Sequence, residues 1–193
     1  MNRYRSFDDP LCYPKTGVLQ NRANITNQDQ LDQFEQLMFL IRSDEDLPIG
    51  DLDYAHYRNI HFHFFQDVYE WAGKIREIRT GKGESWFCFP DHIDAEMERI
   101  FTELAEANHL SNIKDISQFS RRAAYYLAEI NAVHPFREGN GRCQLTLLTM
   151  LVEHANFNLL EDKLNETRFM DAMIESFYGK NQPLIKCIID MIE

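Results

Sequence analysis

Apolar side chains recur along this chain at two different periods. From Asp29 to Arg42, the residues Leu31, Phe34, Leu37, Met38 and Ile41 lie at the spacing of one helix face. Pro48 and Gly50 interrupt that pattern. Asp51 or Asp53 then offers a cap for a second helix, in which Tyr54, Tyr57, Ile60, Phe64 and Val68 share a face up to Gly73. Between Lys74 and Phe89 the period changes: β-prone IREIRT and WFCF flank the turn-forming GKGES, which predicts a hairpin stopped by Pro90. Helical spacing resumes at Asp91 and runs through Met97, Ile100, Leu104 and Ala107. Ser117 reads as the cap of a long apolar helix carrying Phe119, Ala123, Tyr126, Leu127 and Ile130. After a punctuated loop, Leu145, Leu148, Thr149, Val152 and Ala155 form another face, and helical runs over 166–178 and 182–192 follow. Residues 1–27, rich in Asp, Pro, Asn and Gly, read as an irregular arm. The expected fold is mainly α, a single domain over 1–193 with one β-hairpin at 74–89.

Composition narrows the function. A chain of 193 residues matches one domain of ordinary size, and fourteen Phe supply a packed core. The net charge of −11 repels a phosphate backbone, which argues against bulk nucleic-acid binding but leaves room for a single nucleotide held by a few donors. Cys12, Cys88, Cys143 and Cys187 form no CxxC pair and read as buried or incidental thiols in a reducing compartment. The first residues lack an apolar signal core, and no run approaches the ~20 apolar residues of a membrane span. Soluble and intracellular, without a membrane partner, is the expectation.

The chemistry concentrates in one loop between two apolar helices, His134-Pro135-Phe136-Arg137-Glu138-Gly139-Asn140-Gly141-Arg142. Gly-Asn-Gly permits unusual backbone angles, so successive N–H groups can converge on an anion at the amino end of the next helix. Arg142 adds a cation suited to phosphate. Glu138 is a hard oxygen ligand of the kind Mg²⁺ takes, and His134 can accept a proton near neutral pH. Each residue alone is more often a turn former, a cap or a packing group. Together they supply base, metal ligand, anion nest and cation within nine residues, the parts required for phosphoryl chemistry.

That run resembles the Fic family motif HxFx(D/E)GNGRxxR, matching it at each fixed position except the last. Ile60 to Arg76 (IHFHFFQDVYEWAGKIR), GKGESWFC, ANHL and AAYYLAEINAVHPF resemble family segments as well, so the likeness covers at least residues 54–156. The resemblance implies a Fic-type helical domain, with residues 74–89 as a flap hairpin and residues 134–145 as motif loop and helix start. It implies a protein adenylyltransferase in which His134 is the general base for a Tyr, Ser or Thr hydroxyl of a target protein. ATP, or another nucleoside triphosphate, would be attacked at its α-phosphorus. Glu138 would hold Mg²⁺; Gly139, Asn140 and Gly141 would cradle the phosphates and Arg142 would stabilise their charge, while Phe136 would anchor the loop. The flap near Thr80–Glu84 would align the target by strand addition, and Lys82 and Gly83 would reach the nucleotide. A bacterial toxin or effector is implied, acting in the cytoplasm or delivered into a host cell.

Leu145 stands where the family has its last arginine, which contacts the outer phosphate and pairs with an inhibitory glutamate from a (S/T)xxxE(G/N) helix. Thr102 to Glu106 has that spacing but is followed by Ala107, and reads as an ordinary helix face. The lack of an internal inhibitor resembles members controlled by a small separate antitoxin, yet Leu145 removes the usual locking contact. Arg137 or Gln144 is the candidate to compensate. Transfer of phosphate or another phosphodiester-linked group is the rival reading, and a catalytically impaired binding module is a second. His56, His61 and His63 suggest a metal set only superficially; structural roles are expected for them, and Trp71 and Trp86 are expected to pack.

Overall fold

A computed structural model describes residues 9–82 and 85–193, apart from the side chains of Lys82 and Glu161. The protein is mainly helical. In chain order the elements are α1 (Gln28–Ser43), α2 (Tyr54–Phe65), β1 (Gly81–Lys82), β2 (Ser85–Trp86), α3 (Pro90–Glu106), α4 (Ile116–Val133), α5 (Asn140–His154), α6 (Glu166–Phe177) and α7 (Gln182–Met191), with 3₁₀ turns at Asn108–Leu110 and Glu161–Lys163. They fall into two compact units, Met1–Ile93 with Pro135–Gly139, and Asp94–His134 with Asn140–Glu193. No helix among the described residues is long and apolar enough to cross a membrane.

The first unit is built on α2. Asp53 rather than Asp51 caps it, its side chain accepting the His56 N–H at 2.7 Å. Eight of its twelve residues are buried, Ala55, Arg58, Asn59 and Phe62 form an exposed stripe, and α1 packs against the helix. It stops at Phe65, earlier than the apolar spacing predicts, and residues 66–73 fold as turns. The reason is competition for acceptors. The His63 carbonyl, which a continued helix would offer to the Asp67 N–H, accepts the Gln66 side chain at 3.1 Å, and further on the Val68 carbonyl takes the Arg22 N–H at 2.9 Å. Val68 belongs to the core all the same, fully buried in its turn.

The hairpin is shorter than its β-prone composition suggests. Two residues a side pair, Gly81 with Trp86 and Lys82 with Ser85, and the Phe87 N–H extends the pairing to the Thr80 carbonyl. The base of the hairpin is held by a side chain instead of a ladder. Arg76 is buried, and its guanidinium donates to the carbonyls of Ile78 (2.8 Å) and Cys88 (2.6 Å). Burial, helped by the nearby charges of Arg137 and Arg79, pulls Arg76 down to about 10. Gly81 must be glycine, because a Cβ there would meet the Ser85 carbonyl oxygen at 2.5 Å. The described part of the arm is more ordered than expected: Cys12 and Leu19 form an antiparallel bridge, and Val18 and Leu19 are buried.

In the second unit α4 is the central helix, packed by α5, α6 and α7. Phe119, Ala123, Leu127 and Ile130 are fully buried along it, as are Leu184, Cys187, Ile188 and Met191 of α7, which packs on it. Its one buried amide is satisfied: Asn131 donates to the Met173 carbonyl at 2.7 Å. Its cap is Asp115, whose carboxylate accepts the Gln118 N–H at 2.7 Å, and not Ser117, whose hydroxyl accepts from Arg121 on the surface. Serine two positions into the helix is an acceptable surface residue, whereas Asp115 sits where an extended residue can bond the third amide. Asp115→Ala should therefore lower unfolding free energy by about 1 kcal/mol, and Ser117→Ala by less than about 0.5 kcal/mol, read from urea midpoints.

Candidate active site

The reactive run starts where α4 stops. His134 is the C-cap of α4, 5% exposed, in the left-handed region at φ 52° and ψ 64°, with its N–H donating to the Ile130 carbonyl at 2.8 Å. A non-glycine residue pays about 1–2 kcal/mol for that conformation. Pro135 keeps the helix from continuing, because a residue before proline is steered away from the right-handed helix. The sequence His-Pro thus ends the helix at the residue that carries the imidazole.

Pro135 to Gly139 belong to the first unit, and each residue is held there by a group outside the motif. The Pro135 carbonyl accepts the Arg76 N–H at 2.9 Å. Phe136 is fully buried, its ring stacked on His61 at 3.9 Å and against Tyr57 at 5.6 Å. Arg137 pairs with Asp9 at 2.7 Å, with side-chain exposures of 9% and 4%. The Glu138 carbonyl lies 3.0 Å from Nε2 of His61, and the Glu138 carboxylate accepts the Gly139 N–H at 2.9 Å. Gly139 has φ +80°, and a Cβ there would stand 2.3 Å from the Phe65 ring. Only glycine fits, on both counts.

Asn140, Gly141 and Arg142 form the first turn of α5 in the second unit. Asn140 is buried and Arg142 half-buried. The first N–H groups of a helix point out of its own hydrogen-bond ladder, a geometry that suits an anion. A Cβ on Gly141 would meet the Met170 sulfur at 2.6 Å, the flexible end of a half-exposed side chain, so the tolerance there is wider than at Gly139. Leu145 is half-buried one turn further on.

Two candidate substitutes for the absent arginine fare differently. Arg137 is spent on Asp9 in a nearly buried pair, so the expectation that it supplies a phosphate contact is corrected. Gln144 is 1% exposed, and its Nε2 has no hydrogen-bond partner among the described residues. Lys82 lies in β1, but its side chain and Gly83 fall outside the described residues. The three histidines of α2 bind backbone. His56 accepts from the Leu52 N–H at 3.1 Å and reaches the Pro48 carbonyl at 2.7 Å, and His63 reaches the Arg42 carbonyl at 2.8 Å. No group of three His, Cys, Asp or Glu among the described residues is placed to hold a metal. Glu138 is a half-exposed single carboxylate, a donor set that fits Mg²⁺ in company with phosphates and water.

The structural role expected for His61 holds, and the residue sits four positions from both Tyr57 and Phe65 on one helix face. Asp9 and Arg76 also frame the loop and were not foreseen: the partner of Asp9 is remote in sequence, and nothing local shows that Arg76 is buried.

Comparison with known proteins places this geometry. The Fic/DOC family pattern matches residues 51–152. The chain is 59% identical over 192 residues to the probable protein adenylyltransferase y4lH of Sinorhizobium fredii, covering 100% of both. It is 38% identical over 192 residues to the protein adenylyltransferase VbhT of Bartonella schoenbuchensis, spanning 98% of this chain and 40% of that protein. Its fold is similar to that of BepC from Bartonella tribocorum, solved with bound AMPPNP, at a TM-score of 0.84 and 23% identity over 95% of this chain and 96% of that one. Motif, full-length likeness and fold agree, and the chain belongs to the Fic/DOC family.

Proposed function

We propose that this chain transfers AMP, or another nucleoside monophosphate, from a nucleoside triphosphate to a Tyr, Ser or Thr hydroxyl of a target protein. The observation that carries the reading is the run His134–Arg142: an imidazole at a helix end, a carboxylate, and a glycine-framed helix start follow one another without interruption. The names of y4lH and VbhT, given for those proteins, support it, as does the nucleotide analogue bound by BepC.

In this reading His134 accepts the proton of the target hydroxyl as its oxygen bonds to the α-phosphorus. The bond from the α-phosphorus to the bridging oxygen breaks, and pyrophosphate leaves. Gly139, Asn140 and Gly141 direct backbone N–H groups at the phosphates, and Arg142 balances their charge. Glu138 would hold Mg²⁺, which supplies further neutralisation of phosphate charge when bound. The flap at 74–89 aligns the target backbone, with Lys82 and Gly83 reaching the nucleotide. A small antitoxin is the expected regulator, and Leu145 denies it an arginine to pair with. The protein acts in the bacterial cytoplasm or after delivery into a host cell, the latter in line with the description of BepC as a translocated effector.

The test is transfer of label in a lysate with Mg²⁺ and ATP. Label from the α-phosphate should appear on protein and fall by 10²–10⁴-fold in His134→Ala. Label arriving only from the γ-phosphate would replace the reading with phosphotransfer, and no transfer with any nucleoside triphosphate would leave a binding module. Leu145→Arg should restore one charge-assisted contact worth about 1.5–3 kcal/mol, seen as nucleotide affinity stronger by about one to two decades in calorimetry.

A further inference from the structure

Tyr57, His61 and Phe65 lie four residues apart and form one stripe along α2, the bed on which Phe136 to Gly139 rest. His61 is its polar member and is 0% exposed. Its ring faces two backbone groups. The Gly73 N–H donates to Nδ1 at 2.8 Å, and Nε2 lies 3.0 Å from the Glu138 carbonyl oxygen. A backbone N–H can only donate and a carbonyl can only accept. The ring is therefore neutral, with its hydrogen on Nε2, donating to Glu138.

We infer that His61 is a positioning residue that fixes the orientation of the Glu138–Gly139 peptide, and through it the first N–H group of the phosphate cradle. The inference rests on the transfer reading given above. In a trans peptide the carbonyl and the N–H point in opposite directions. With its oxygen held toward α2 by His61, this peptide turns the Gly139 N–H away from α2, where the Glu138 carboxylate meets it at 2.9 Å. The peptide is pinned at both poles. The Glu138 carboxylate holds this N–H on the side where phosphate would replace it, and a flip would swing the donor toward the aromatic stripe and out of the cradle. The stack of His61 on Phe136 at 3.9 Å holds the ring in register for the bond. Gly73, at φ +75° with no room for a Cβ beside Phe62, fixes the donor on the other side. Leucine or phenylalanine at 61 would fill the volume but would leave both backbone groups unmet.

Glutamine and asparagine separate this role from simple packing. Glutamine can place an amide donor near the Nε2 position, whereas asparagine reaches only as far as Nδ1. Both leave a cavity in the same place. His61→Gln should retain slow amide exchange at Gly139 and transfer within a few-fold of the parent. His61→Asn should speed that exchange and lower kcat by about 100-fold, the order expected when a reacting group is misplaced by about 1 Å, with a smaller change in KM. Equal losses in the two variants would overturn the inference and leave His61 a packing residue. The parent protein provides a reading that needs no variant: ¹⁵N spectra should place the His61 hydrogen on Nε2, coupled across the bond to the Glu138 carbonyl. An Nδ1–H tautomer would also overturn it. Exchange and tautomer are read without turnover, so an inactive parent protein would sink the transfer reading while this inference was still decided.

Discussion

A loop that offers backbone N–H groups to an anion must do something with the carbonyls on the other side of the same peptides. In the proposed reaction that demand falls on the Glu138–Gly139 peptide, and the aromatic stripe of α2 meets it. His61 takes the carbonyl, Phe65 lies against Gly139 closely enough to exclude any side chain, and Tyr57 and His61 enclose the Phe136 ring. Much of the first unit can be understood as support for that bed. Asp53 starts α2 at the right residue, the turns after Phe65 bring the Gly73 N–H to the far side of His61, and Arg76 sends its own N–H to Pro135. The loop is fixed by groups that carry no chemistry themselves, which is the usual requirement for a reactive constellation held to fractions of an ångström.

Within the reactive run, backbone strain sits where it determines a direction. His134 leaves α4 in the left-handed region and Gly139 has positive φ, so the two ends of the Pro135–Gly139 segment are both sharp changes of course. The cost at His134 is real for a residue with a Cβ, and the helix hydrogen bond to Ile130 offsets it locally. At Gly139 there is no such cost, and the close approach of the Phe65 ring explains why no other residue would serve.

The helices were legible from apolar spacing, and the reactive run from its chemistry, because both depend on residues near one another in sequence. Errors came where a distant group intervened. The extent of α2 was overestimated because the chain turns after Phe65, placing the Val68 carbonyl against the N–H of Arg22 some forty-odd residues earlier. Ser117 suits the α4 cap by type, although Asp115 two residues earlier has the extended backbone a cap needs. Arg137 looked available for phosphate because nothing in its neighbourhood announces Asp9, 128 residues away. His61 had the right spacing, but periodicity reports only that a position faces inward, not that a buried ring must satisfy two backbone groups.

The Asp9–Arg137 pair also bears on the meaning of Leu145. Exchanging a motif arginine for leucine would matter less if a neighbouring cation could turn toward the same phosphate. Arg137 cannot do so cheaply, since withdrawing it would strand a carboxylate that is 4% exposed, and removing one partner of a buried pair costs about 3–5 kcal/mol. Arg76 is held just as firmly, its guanidinium divided between two carbonyls and already discharged more readily by burial. Both arginines serve as struts for the loop and the hairpin. In the proposed reaction, charge toward the outer phosphates then has to come from Arg142, the amino end of α5 and the metal. An enzyme so arranged would hold its nucleotide through the cradle more than through a cationic clamp, which makes the orientation of each cradle N–H count for more.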